Sequence, residues 1–497
     1  MMWLPFVRVV RRPEGLQLPV SLTTSAVLLA LLAACATNPV TGRREISFMS
    51  EAQEISIANE SEPQIKEEMG VYNDPELQRY VSEIGWRMAK ISERAHLPWR
   101  FTVVDVPAVN AFAVPGGAIY ITRGIMPFLD NEAELAGVLG HEIGHVSARH
   151  SAQQYTRQVG GQAGLIALGI FVPAARPFGD LGAQALGVLF LKYGREDELQ
   201  SDQLGAKYES QLGWDPAAVP AFLSTLGRLD EAAGDRRGVP NWLSTHPDPL
   251  SRVSEIQPTV QQLKAAGGSF STNRDAFVQR IDGIVYGDNP EQGIARGSAF
   301  LHPVLRFRID FPEKWEISNS PQQVVAKAPG ANVFMLLQLV EMPRGRNIQE
   351  IARNSMDSAG FRFVRGEGSR INGLDAFIGE YQGQMQDLGQ VTTRAAHLAY
   401  DGKVYIVAGL AAPAAFQQAD GAFLASIRSF RSMTAAEAEN VRPNRVDFYV
   451  VRAGDTWASI AERSGGVISA ATLAVMNNST PGSTLQPGNR IKIVVGG

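Results

Sequence analysis

The stretch "LAGVLGHEIGHVSARHSAQQ", residues 135–154, sets two histidines four apart with a glutamate beside the first. Just upstream, Asn131 offers an N-cap and Glu134, three residues on, completes a capping box. Leu135, Val138, Leu139, Ile143 and Val146 then recur at helical spacing, so a helix is expected here before any motif is considered. On it His141 and His145 stand one above the other, and two imidazoles so placed can reach one Zn²⁺ at about 2.0–2.1 Å. Glu142 projects beside that position, where it can take a proton from water. The competing reading is a surface helix with two solvated histidines. With seven histidines in 497 residues, His-Glu-x-x-His seldom arises by chance, and the metal reading wins.

A catalytic zinc needs a third protein ligand and an open position. His150 follows His145 by five residues, which on a continuous helix turns it well away, so it reads as a polar contact at the helix end. The acidic run "YGREDELQSDQLGAKYE" sets Glu198 and Asp202 at i and i+4 on a second helix. Spacing alone leaves Glu196, Glu198 and Asp202 all open.

"NAFAVPGGAIYITRGI", "NEAELAGVLGHEIGHVSARH" and "ELQSDQLG", in this order, resemble the HtpX and CAAX-prenyl-protease family of zinc metallopeptidases over residues 45 to 260. The nearest likeness is to its soluble periplasmic lipoprotein (BepA-like) branch. The family's Glu-x-x-Ala-Asp motif maps onto Glu198 to Asp202, with Ser201 where alanine is usual. The resemblance implies one zinc ion per subunit held by His141, His145 and Glu198, Glu142 as base, and Asp202 as an orienting or proton-handling group. "STHPDPLSR", 244–252, resembles a stretch that reaches the active site in these relatives. It makes His246 an oxyanion contact or a latch on the open position, and Arg252 a weaker possibility. Asn110, Ala111, Phe112 and Ala113 would form an edge strand that takes substrate as an added strand.

Around this unit the chain is long enough for two to four domains. A net charge of −4 shows no nucleic-acid footprint. The lone cysteine, Cys35, excludes an intramolecular disulfide and follows a basic then apolar leader, 1–34. Leu-Ala-Ala-Cys resembles a lipobox, which implies acylation of Cys35 and a periplasmic protein anchored by lipid to the outer membrane. "WRFTVVDV" and "AIYIT" read as strands of an edge hairpin. Residues 160–191 are strongly apolar, but Pro173, Arg176, Pro177 and Asp180 break them into short helices.

The expected fold class is multidomain. A mainly α, gluzincin-type peptidase domain with a small edge sheet spans 35–265, and a connector spans 266–295. An α+β domain that faintly resembles PsbP-like domains spans 296–432, and a polar linker spans 433–445. A small βααβ unit spans 446–497. That last unit resembles a LysM domain through Gly454-Asp455-Thr456, Asn477 and Leu485-Gln486-Pro487-Gly488, which implies peptidoglycan as a partner. The functional expectation is an endopeptidase acting on unfolded or misassembled envelope proteins. The alternative is a peptidoglycan-bound scaffold with a latched peptidase fold.

Overall fold

The computed structural model describes residues 35–167, 192–233, 242–340, 343–385 and 388–497. The first part of the apolar stretch read at 160–191 falls in helix, and from residue 168 it lies outside the described residues, as does the leader 1–34.

The first domain assembles around one helix. Short strands β1 (Cys35–Thr37) and β2 (Arg44–Ile46) pair antiparallel and lead into α1 (Glu51–Met69) and α2 (Pro75–Ala89). α3 (Glu132–Ser147) starts where the cap predicts: the Asn131 side chain accepts from the Glu134 N–H at 3.0 Å. The Glu134 carboxylate reaches back to the N–H of Asp130, one residue before the cap, at 2.9 Å. Every residue of α3 is buried, so the helix is a central post rather than a surface helix with one apolar stripe.

α4 (His150–Ala167) and α5 (Arg195–Leu212) follow, and α5 lies unusually close to α3. A Cβ on Gly140 would sit 2.9 Å from the Gly205 Cα, and one on Gly144 would sit 3.0 Å from the Ser201 Cα. Glycines at 140, 144 and 205 and a small residue at 201 are therefore what let the two backbones approach. The seam places Glu198 and Asp202 one turn apart beside the histidines. α6 (Ala218–Ala233), the single turn α7 (Trp242–Thr245) and α8 (Pro249–Ala265) complete the helical layer.

The small sheet differs from the hairpin expected. β3 (Arg100–Val104) and β5 (Ala118–Thr122) pair parallel, and β4 (Ala111–Val114) lies antiparallel at the outer edge of β5. The edge strand read at Asn110 to Ala113 is thus β4, and it rather than β3 makes the hairpin with β5. The tight turn is Val114 to Ala118, where Gly116 and Gly117 both take positive φ. Strand alternation turns Ala111 and Ala113 to the main core, and Phe112 and Val114 to Ala58 and Ile65 of α1.

Residues expected as a connector enter that core. α9 (Arg274–Ile281) contributes Phe277 and Ile281, and β6 (Val285–Tyr286) contributes Val285. The next unit is a seven-stranded antiparallel sheet with strands in the spatial order Glu316–Asn319, Gln323–Lys327, Val333–Leu339, Lys403–Ala411, Gly389–Tyr400, Leu374–Met385 and Arg362–Ile371. α10 (Ile348–Ser358) and α11 (Pro413–Ser429) cover opposite faces: Met356 packs with Ala395, and Phe423 with Ala396.

The last unit runs β7 (Asn444–Val450), α12 (Trp457–Arg463), α13 (Ala470–Met476) and β8 (Arg490–Val495). Thr456 is the N-cap of α12, and Asn477 ties the end of α13 to the Lys492 backbone. This unit does not hang on a loose tether. β7 pairs with β6, Val446 joins the core of the first domain, and Leu229 and Phe128 pack into the unit's own core. The Lys492 ammonium, 1% exposed, donates to the Leu129 carbonyl and the Asp130 carboxylate at 2.8 Å each. It docks immediately before the cap of α3.

Candidate metal centre

Four donor residues from three elements converge. His141 and His145 come from α3, Glu198 from the first turn of α5, and His246 from the turn between α7 and α8. His141 Nε2 lies 2.9 Å from His145 Nε2 and 3.2 Å from His246 Nδ1. Glu198 Oε1 lies 2.9 Å from His246 Nδ1 and 3.4 Å from His145 Nε2, while its Oε2 is 3.7 Å from His141 Nε2. A tetrahedral zinc with ligands at about 2.0–2.1 Å has ligand–ligand edges of about 3.3–3.4 Å. The separations bracket that value, and the donor set is one that zinc takes. The residues fit the ion.

The surroundings orient these donors. His141 Nδ1 meets Asp202 Oδ1 at 2.9 Å, the carboxylate–histidine support common behind metal ligands. Arg252, fully buried, donates through Nε to Asp202 Oδ2 at 2.8 Å and through its terminal nitrogens to Asp202 Oδ1 and Glu198 Oε2. Tyr193 stacks on His145 at 3.9 Å between ring centroids, and Trp242 stacks on His246 at 4.3 Å.

Charge follows from this packing. Burial opposes ionisation of Glu198, but His246 and Arg252 outweigh it and hold the carboxyl well below the usual carboxylate range. Asp202 is lowered on the same logic, with Arg252 and His141 overcoming burial. Burial keeps His145 well below the ordinary imidazole value, which leaves a neutral ring able to ligate. For His246 burial pulls downward, yet Glu198 and Glu142 prevail and raise it.

Glu142 is the exception in this network. It is completely buried, no side chain hydrogen-bonds to either carboxylate oxygen, and burial pushes its pKa up against the lowering pull of His246, His141 and the Ala113 backbone N–H. Its Oε1 is 3.6 Å from His246 Nε2. A buried, unpaired carboxylate beside a ligand cluster has the properties of a base awaiting its proton source.

The residues singled out in the sequence separate cleanly. His141, Glu142, His145, Glu198, Asp202 and His246 share one buried cluster, whereas Glu196 is exposed. Ala111, Phe112 and Ala113 form edge strand β4, with Asn110 just before it and its buried Oδ1 unpaired. Cys35 lies remote in sequence, in β1. Arg252, weakly marked by sequence, proves to clamp two carboxylates. Tyr193 and Trp242 carried no signal beyond being aromatic near the motif.

Residues 75–260 match the family described as Peptidase family M48, and residues 449–494 match the LysM domain. Over 254 residues the chain is 29% identical to the Beta-barrel assembly-enhancing protease of Escherichia coli strain K12, which covers 49% of this chain and 51% of that protein. The protein of the same description from Yersinia pestis is 28% identical over 347 residues, 66% of this chain and 70% of that one. The Mitochondrial metalloendopeptidase OMA1 of Schizosaccharomyces pombe is 32% identical over 239 residues, 46% of this chain and 66% of that one. The chain thus spans about half the length of the Escherichia coli relative.

Proposed function

From a chain that carries a peptidase family M48 domain at residues 75–260 and a LysM domain at residues 449–494, we propose a zinc-dependent metalloendopeptidase of the cell envelope. His141, His145 and Glu198 would hold the ion. Zinc, when bound, supplies a Lewis acid that polarises a carbonyl oxygen and acidifies water. Glu142 takes the proton of the attacking water and passes it to the leaving amide nitrogen. Asp202 and Arg252 fix the rings and carboxylate that face the ion. An extended substrate would pair along the open edge of β4, which selects unfolded or misassembled chains over compact ones.

The observation that carries this reading is the unpaired Glu142 carboxylate beside four converging donor atoms. His246 supports a latched resting state, because its Nδ1 sits among the donors where an open position is required. The relatives' description as barrel-assembly proteases suggests outer-membrane proteins and their assembly partners as substrates. Acylation at Cys35 would anchor the chain to the outer membrane in the periplasm, and the LysM domain would hold it to peptidoglycan. The same latch favours, as a second reading, a peptidoglycan-bound scaffold with a closed peptidase fold.

Hydrolysis of unfolded casein by the purified chain, with chelator and after zinc is restored, tests the proposal. Chelator-sensitive cleavage that zinc restores supports it. A zinc-loaded chain that stays inert even as His246→Ala favours the scaffold.

A further inference from the structure

His150 lies outside the metal ligands, yet the chain bends sharply to bring it in. Helix α3 ends at Ser147 and α4 begins at His150; between them Arg149 takes φ of +60°. That left-handed conformation costs a non-glycine residue about 1–2 kcal/mol. Arg149 is held there by its own side chain, which donates to Glu54 Oε1 at 3.0 Å and to the Met49 carbonyl at 2.6 Å. The break cancels the rotation that a continuous helix would impose. His150 Nδ1 then lies 2.9 Å from His145 Nδ1, and His150 Nε2 lies 2.9 Å from Gln200 Oε1.

We propose that His150 is a positioning residue for the metal centre, acting through His145. The inference rests on the reading of His145 as a ligand. The protons are determined by donor and acceptor type. The Gln200 oxygen only accepts, so His150 Nε2 carries a hydrogen. A neutral His150 then has a lone pair on Nδ1, and the hydrogen between the two rings belongs to His145 Nδ1. His145 Nε2 is left with its lone pair aimed at the cluster. Metal-binding histidines are usually fixed by a carboxylate or a carbonyl; here a second histidine does it, and Gln200, inside the Glu198–Asp202 motif, sets that histidine.

The other groups around His150 leave the relay intact. Ser201 Oγ stands 3.4 Å from His150 Nδ1, a longer approach than that of His145. Asp197 Oδ1 is 3.9 Å from His150 Nε2, and its Oδ2 accepts from the Gly194 N–H and from Gln154. Tyr193 supports the plane of His145 by stacking, with its hydroxyl on Ser151 at 3.0 Å.

Zinc affinity of the full mature chain, measured by competition with a chromophoric chelator, tests this. His150→Phe should bind zinc about 10–100-fold more weakly, the scale set by loss of such outer contacts. Its metal-free circular dichroism and unfolding midpoint should stay near wild type. His150→Gln, whose carbonyl can accept from His145, should recover most of the affinity. Wild-type affinity in His150→Phe would overturn the inference. If that variant does not fold, Gln200→Leu replaces it, with several-fold weaker binding expected and wild-type binding again decisive against. Failure of the wild-type chain itself to bind zinc overturns the metal reading, and this inference with it.

Discussion

Two buried histidine environments stand side by side in this chain and differ in everything but burial. In the peptidase domain His141, His145 and His246 point their nitrogens at one another and at Glu198, with Asp202 and Arg252 closing the network behind. In the seven-stranded sheet His397 is equally buried, but neither ring nitrogen has a partner, and burial alone pushes its pKa down to about 4. His397 reads as a neutral space-filling ring on the α10 face of the sheet. Chemistry tracks convergence of donors, not depth. The comparison also isolates Glu142, which sits inside the first environment yet is unpaired like His397.

The largest expected effect therefore falls on Glu142. Glu142→Gln keeps the shape and all four converging donors, so zinc content should remain while turnover falls about 10²–10⁴-fold. Elemental analysis beside the rate on an unfolded substrate measures both. Equal loss of metal and activity would move Glu142 into the ligand set and dissolve the distinction from Glu198.

Next comes Arg252. Removing it leaves Glu198 and Asp202 buried without their cation, and breaking such a pair costs about 3–5 kcal/mol. Urea unfolding of metal-free Arg252→Leu should show that loss, and zinc should return part of it by neutralising the same carboxylates. A loss below about 1 kcal/mol would mean that the carboxylates are protonated in the resting protein, against their lowered pKa values.

A smaller effect belongs to Glu134 at the other end of α3. Burial, with Asp130 next, raises its pKa to about 7. Folding therefore favours its protonated form, and stability attributable to it declines as pH rises from the ordinary carboxylate value towards 7. Glu134→Gln should be indistinguishable from wild type near pH 4 and more stable above pH 7, by on the order of 1–3 kcal/mol. Thermal unfolding across that range checks the sign, and a difference independent of pH would contradict it.

The smallest effect is expected at His397. His397→Leu removes two unpaired nitrogens from an apolar setting, so stability should change by less than about 1 kcal/mol or rise. Hydrolysis should be unaltered. A large loss of activity would give the second domain a chemical role that a buried, unpartnered histidine does not suggest.

What sequence revealed and what it hid divide along the same line. The cap at Asn131, helix α3 and the pair His141 and His145 are local features, and local spacing exposed them. Glu198 needed family resemblance, because the seam of Gly140, Gly144, Ser201 and Gly205 that selects it over Glu196 is a packing property between distant segments. His150 was read as a polar contact at a helix end, but its approach to His145 was hidden, because counting five residues along a helix presumes no break and Arg149 breaks it. The edge strand around Asn110 to Ala113 was legible, but its pairing was not: β4 rather than β3 makes the hairpin with β5, across a tight turn. The close docking of the LysM unit rests on Lys492 and Val446, single residues whose partners lie hundreds of positions away. A polar linker in the sequence gave no hint of that contact.

The central claim is that His141, His145 and Glu198 hold a divalent metal from which Glu142 stands apart. Anomalous diffraction at the zinc edge, on crystals of the zinc-loaded chain, addresses it most directly. The account predicts one strong peak within bonding distance of His141 Nε2, His145 Nε2 and Glu198, with Glu142 outside the coordination shell. A peak ligated by Glu142, or no peak at this cluster, would contradict it.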